Sequence, residues 1–131
     1  MTRFVVDAGV VIHLVTEGIE VGDAHTLLAP TLIRSQVLSQ LHEAVARGEV
    51  APDVALVRLR AAWAVPIRLL GDAVLRRRAW DIATTLGWPE TYQAEYLALT
   101  HLQGEAFVTL DENLAKRAAG IVRVATVDDL R

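Results

Sequence analysis

Two carboxylates each stand at the end of a short β-rich apolar run, at opposite ends of the chain: Val5-Val6-Asp7 and Thr109-Leu110-Asp111. In a doubly wound sheet, the functional cleft lies outside the carboxyl ends of the strands, where the strand order reverses. If these two runs are neighbouring strands, both acids face one pocket. A pair of oxygen ligands of that kind suits a hard cation such as Mg²⁺ or Mn²⁺. The competing reading is that each aspartate caps the helix after it.

The elements needed to position such a pair are legible along the chain. Arg3 to Val6 reads as a strand buried on both faces, because its apolar residues form a continuous run. Val10, Val11, Leu14 and Val15 recur at helical spacing, giving a short helix over 8–16 stopped by Gly18. Residues 19–26 read as loop. Thr26 to Ala29 reads as a brief strand, since Pro30 biases its predecessor away from helix. Thr31 is the expected N-cap of a long helix reaching about Arg47, with Gly48 at its stop. Pro52 and Asp53 open the next helix, whose apolar bulk is Val54, Val57, Leu59 and Trp63. A strand over 67–70 follows Pro66, and Asp72 caps a helix whose apolar positions are Val74, Leu75, Ala79, Ile82 and Ala83. A helix from Tyr92 to Gln103 precedes a second buried strand, Ala106 to Leu110. The chain then closes with a helix over 114–119, a strand over 121–124 and a terminal turn over 126–130. Strands alternating with helices imply a parallel sheet covered on both sides.

Composition limits the partners and the chemistry. A chain of 131 residues is one domain with room for a substantial core. The hydrophobic fraction of 53% suits a sheet flanked by helices or a partner surface. No apolar run approaches the ~20 residues of a membrane span. With no cysteine, disulfides, thiolate catalysis and cysteine-based zinc sites are excluded. The N-terminus lacks the pattern of a secretory signal, so a cytoplasmic location is the expectation. A formal net charge of −3 provides no global basic field for nucleic acid, so polyanion binding would need a local patch or metal ions.

Four segments together resemble PIN domains, and among them VapC-type toxin ribonucleases of bacterial toxin–antitoxin pairs. They are Val5-Val6-Asp7-Ala8-Gly9-Val10-Val11, Ala29-Pro30-Thr31-Leu32-Ile33, Tyr92-Gln93-Ala94-Glu95-Tyr96-Leu97-Ala98-Leu99, and Phe107-Val108-Thr109-Leu110-Asp111. The resemblance spans essentially the whole chain, residues 1–131, as a single domain. It implies a three-layer α/β/α sandwich with a central, mostly parallel sheet. It also implies Mg²⁺- or Mn²⁺-dependent endoribonuclease activity on RNA, a homodimer and a cognate antitoxin protein. Of the four acids in the family pattern, Asp7 and Asp111 match and serve as the implied metal ligands. The other two positions carry Gln36 and Gln93. An amide oxygen can ligate a hard cation but brings no charge, which weakens metal affinity and removes a candidate for activating water. Gln36 and Gln93 then complete the catalytic pocket as neutral ligands or by holding water. The alternative is a catalytically impaired PIN-like module that binds protein or RNA.

Other residues are weighed against the same pocket. Glu43, seven residues after Gln36, returns to nearly the same helix face roughly 10 Å along the axis, either supporting the cleft or edging an amphipathic helix. Glu95 lies about 200° around its helix from Gln93 and points elsewhere. Thr109 is two residues before Asp111 and shares its strand face, so its hydroxyl either hydrogen-bonds a carboxylate or metal-bound water or belongs to a plain β-former. Asn113 is a candidate for the rim, the alternative being a solvated first helical turn. Arg76, Arg77 and Arg78 spread around a helix, so one or two at most contact RNA phosphate, the alternative being salt bridges. The histidines show no ligand spacing. Trp63, Trp80 and Trp88 read as core or dimer-interface anchors. A phosphoacceptor signalling domain is a rival of similar length, but it wants an acidic pair after the first strand, where this chain has Asp7-Ala8-Gly9.

Overall fold

The computed structural model describes residues 1–131. It contains five strands and six α-helices: β1 (Thr2–Val6), α1 (Ala8–Glu17), β2 (His25–Pro30), α2 (Ile33–Ala46), α3 (Pro52–Ala64), β3 (Ile67–Leu70), α4 (Ala73–Leu86), α5 (Tyr92–Leu102), β4 (Ala106–Val108), α6 (Glu112–Ala118) and β5 (Val124–Ala125), followed by a 3₁₀ turn at Val127–Leu130. The strands form one sheet in the order β3-β2-β1-β4-β5, and every neighbouring pair is parallel. From β1 the chain winds outward through β2 to β3, then crosses back to β4 and β5. The order therefore reverses between β1 and β4. This order is also not the 2-1-3-4-5 of flavodoxin-like signalling folds, which removes the phosphoacceptor rival.

The centre of the sheet is apolar throughout. Phe4, Val5 and Val6 of β1 pack beside Leu27 to Ala29 of β2 and Ala106 to Val108 of β4, all buried. Helix α5 lies against this centre, touching β1, β2 and β4, and buries Ala94, Tyr96, Leu97, Ala98, Leu99 and Thr100. The Thr100 hydroxyl is satisfied by the Tyr96 carbonyl at 2.8 Å, so the one buried polar side chain of the core carries no penalty. Gly104, at the turn into β4, is required by contact. A Cβ there would sit 2.9 Å from Val5 Cγ2 and 3.2 Å from Thr100 Cα.

Local signals predict several element ends correctly. Asp7 and Asp72 cap α1 and α4, accepting from the N–H groups of Val10 and Leu75. Other boundaries differ from the sequence reading. Thr31 does not cap α2. Leu32 takes the N-cap position without a side-chain bond, and Thr31 lies against Gly71 instead. Strand β4 ends at Val108, not Leu110. Its partner β1 leaves the sheet after Val6, where Asp7 turns the chain into α1, so residue 109 has no ladder to join. The last strand is not Ile121–Val124 but Val124–Ala125, because the N–H groups of Ile121 and Val122 both bond to the Ala118 carbonyl and prolong the helical turn. Of the large apolar residues expected to fill helix α3, Val54, Val57 and Trp63 are exposed and only Leu59 packs against the core, whereas Ala55 and Ala62 are buried. Val74 and Trp80 on α4 are exposed too, so of the tryptophans only Trp88 packs against the core.

Candidate active site at the strand switch point

Asp7 follows the last residue of β1, and Asp111 stands three residues past the end of β4. Both line one cleft of about 240 Å³, together with Ala8, Gly9, Gln36, Gln40, Gln93, Tyr96, Thr109, Leu110 and Leu114. The two readings of these acids are not exclusive. Asp7 Oδ1 accepts from the Val10 N–H at 3.0 Å, and Asp111 Oδ1 accepts from the Leu114 N–H at 3.0 Å. Each carboxylate is thus a helix cap and a cleft wall at once, which fixes its orientation by a backbone bond.

Thr109 ties the pair together. Its hydroxyl donates to Asp7 Oδ2 at 2.5 Å and accepts from the Asp111 N–H at 3.2 Å. Asp7 is the more enclosed acid. Burial raises its pKa above the ordinary carboxylate value, the Thr109 and Val10 hydrogen bonds work against that rise, and the negative charge of Asp111 adds to it.

The remaining wall comes from α2 and α5. Gln36 of α2 is bonded by the Tyr96 hydroxyl of α5, which donates to Gln36 Oε1 at 2.5 Å. Tyr96 is almost fully enclosed, and its ring packs on Phe107 of β4 at 6.1 Å between centroids. Burial, then the charges of Asp7 and Glu95, push its phenol pKa up, so it remains a hydrogen-bond donor. Gln93 is exposed at the start of α5 and faces the same cleft.

Of the residues weighed from sequence, Asp7, Asp111, Gln36, Gln93 and Thr109 meet here. Others do not reach. Glu43 lines a neighbouring groove with Arg47 and Arg58, separated from this cleft by Gln40, which borders both. Asn113 is exposed on α6 outside the cleft. Arg76, Arg77 and Arg78 lie away from it: Arg77 pairs with Asp81 at 3.3 Å, Arg78 bonds His101, and the Arg76 charge acts on Glu95. Arg77 and Arg78 thus have partners on α4 and α5. Sequence reasoning gave no site role to Gln40 and Tyr96. The available signal was helical spacing, Gln36 to Gln40 at i,i+4 and Gln93 to Tyr96 at i,i+3, which places each pair on one face.

No three His, Cys, Asp or Glu side chains are grouped to hold a metal. Mg²⁺ is commonly held by one or two carboxylates with water and substrate phosphate completing its shell. Asp7 and Asp111 meet that minimum, and the mutual charge acting on Asp7 is what a cation would relieve.

A five-stranded parallel sheet in this order, with six helices around it, is a PIN-like α/β fold. Among solved structures, the crystal structure of PAE2754 from Pyrobaculum aerophilum is similar, with a TM-score of 0.78 at 21% identity over 98% of this chain and 92% of that one. No protein-family model matches the chain, and no curated protein does. No helix is long and apolar enough to cross a membrane.

Proposed function

We propose that this protein is a Mg²⁺- or Mn²⁺-assisted endoribonuclease, resembling the toxin of a VapBC-type pair. The observation that carries the reading is the meeting of Asp7 and Asp111 at the strand switch point, coupled through Thr109. Asp7 and Asp111 would hold the cation. Once bound, it supplies Lewis-acid stabilisation of the charge that builds on the phosphate oxygens. Val10 and Leu114 hold the two carboxylates by their backbone N–H groups, and Thr109 orients Asp7 toward its neighbour. Asp111, at the exposed lip, is the acid a substrate would meet first. Tyr96 and the buried face of α5 form a dry, rigid floor behind them.

An antitoxin and a second copy of the chain belong to this reading as partners. An apolar groove of about 380 Å³ beside Trp63 and Arg34, and the exposed side chains of Leu38, Leu56 and Val57, support them. A second reading, a non-catalytic PIN-like module, is favoured by one observation: Gln36 and Gln93 occupy the wall where further acids would stand. The deciding experiment incubates purified protein and Mn²⁺ with a broad panel of RNAs. Cleavage that disappears in Asp7→Asn and Asp111→Asn supports the nuclease. Intact RNA with the wild type, together with cleavage by a Gln36→Glu/Gln93→Asp variant, supports the binding module and rejects the nuclease.

A further inference from the structure

We propose that Gln36 is a phosphate-binding residue, positioned by Tyr96 so that its amide N–H groups rather than its carbonyl oxygen face the ligand in the cleft. The inference rests on the RNA reading above and assigns a role within the same site. A buried phenol must give its hydrogen to an acceptor, and Gln36 Oε1 is the one that takes it from Tyr96. With the phenol donating, the amide turns its oxygen to Tyr96 and its nitrogen away from it. Gln36 Nε2 makes no hydrogen bond within the chain and is not enclosed, since the one enclosed side-chain polar atom lacking a partner is His25 Nδ1. Gln36 lines the cleft, and its two N–H donors are left free for a ligand.

The chemistry of the wall follows. Asp7 and Asp111 present acceptors suited to a cation, and Gln36 presents donors suited to a phosphate oxygen. Glutamine side chains are among those that bind phosphate oxygens in nucleic-acid complexes. A glutamate at the same position could give one oxygen to Tyr96 and turn the other to a cation, but it would repel a phosphate. Gln36 thus trades a metal ligand for a substrate contact, and Tyr96 is the residue that enforces the trade.

Two measurements without turnover test this. One is binding of fluorescein-labelled random-sequence single-stranded RNA in EDTA, read by anisotropy. The other is Mn²⁺ binding by calorimetry without RNA. For Gln36→Ala, RNA affinity in EDTA should fall about tenfold, as for loss of a hydrogen bond to a charged group, with Mn²⁺ affinity unchanged. For Gln36→Glu, RNA affinity should fall further and Mn²⁺ affinity should rise about tenfold, the gain from a third carboxylate. Tyr96→Phe should weaken RNA binding like Gln36→Ala and add nothing to it in the double variant. Should Tyr96→Phe not fold, the Gln36 side-chain amide signal of the wild type, assigned by its loss in Gln36→Ala, must still shift when RNA is added in EDTA. RNA affinity indifferent to Gln36→Ala, no RNA binding by the wild type in EDTA, an unmoved amide signal, or Mn²⁺ affinity that falls with Gln36→Ala would each overturn the proposal. Cleavage with Mn²⁺ is scored separately. A protein that cuts nothing yet shows this binding pattern keeps the role of Gln36 and loses only the nuclease reading.

Discussion

Helices α5 and α3 are of similar length, 11 and 13 residues, and both are rich in apolar side chains, yet the fold uses them in opposite ways. Six residues of α5 are buried against the sheet centre, among them the large side chains of Tyr96, Leu97 and Leu99. Only Ala55 and Ala62 of α3 are buried, and its bulkier Val54, Leu56, Val57 and Trp63 face outward. The site end of the molecule is therefore built on a helix locked by packing, and the opposite helix keeps free apolar surface. Stability should be concentrated around α5 and β1, and the surface suited to partners should lie on α3.

That division makes measurable demands. The largest effect should come from Leu97→Ala on α5, a fully enclosed side chain whose loss costs about 2–5 kcal/mol in urea unfolding, as buried Leu→Ala changes do. Gly104→Ala should cost about 1–3 kcal/mol, because the added methyl meets Val5 and Thr100 at overpacked distances. Asp111→Ala should cost about 1 kcal/mol through the lost cap of α6, whereas Asp111→Asn should keep the cap and lose Mn²⁺ binding alone. That pair of variants separates the two duties of one carboxylate.

Asp7→Asn should raise the melting temperature at neutral pH in the absence of metal. Burial holds the Asp7 pKa above its unfolded value, so between the two values the folded state keeps a proton that the unfolded chain has already released. Ionised Asp7 therefore costs stability, and the cost sets in as pH climbs from the ordinary carboxylate value through the raised one. Below that window wild type and variant should melt alike. A gain that persists in strong acid would contradict burial as the cause. The smallest effect is expected of Leu56→Ala on α3, within about 0.5 kcal/mol of the wild type, as for exposed positions without special contacts. A loss comparable to that of Leu97→Ala would mean α3 is as structural as α5, and the division would fail.

Much of the framework is written locally. Asp7, Asp72 and Asp111 each accept the N–H three residues on, so the starts of α1, α4 and α6 depend on a few adjacent residues. Gly18 and Gly87 close α1 and α4 at φ of 64° and 69°, the left-handed region that a side chain disfavours. Buried strands betray themselves by continuous apolar runs, which is why β1 and the body of β4 were legible. Boundaries decided by a neighbour were not. β4 stops at Val108 because β1 stops pairing, and α3 turns Ala55 and Ala62 inward while Val54, Leu56, Val57 and Trp63 stay outside. Periodicity reports that a face is apolar, not which face the remaining chain will cover.

What residue order alone decided here is the inventory: two strand-following acids, the helices they open, and the two glutamines, Gln36 and Gln93. What only the tertiary structure decided is the wiring. Thr109 meets Asp7 across 102 positions, and Tyr96 meets Gln36 across 60. Neither bond has a local signature, because each depends on strands becoming neighbours and a helix being pressed onto them. Caps and strand runs are settled within a few residues by hydrogen bonds and side-chain period. The meeting of Tyr96 with Gln36 depends on the packing of the whole core.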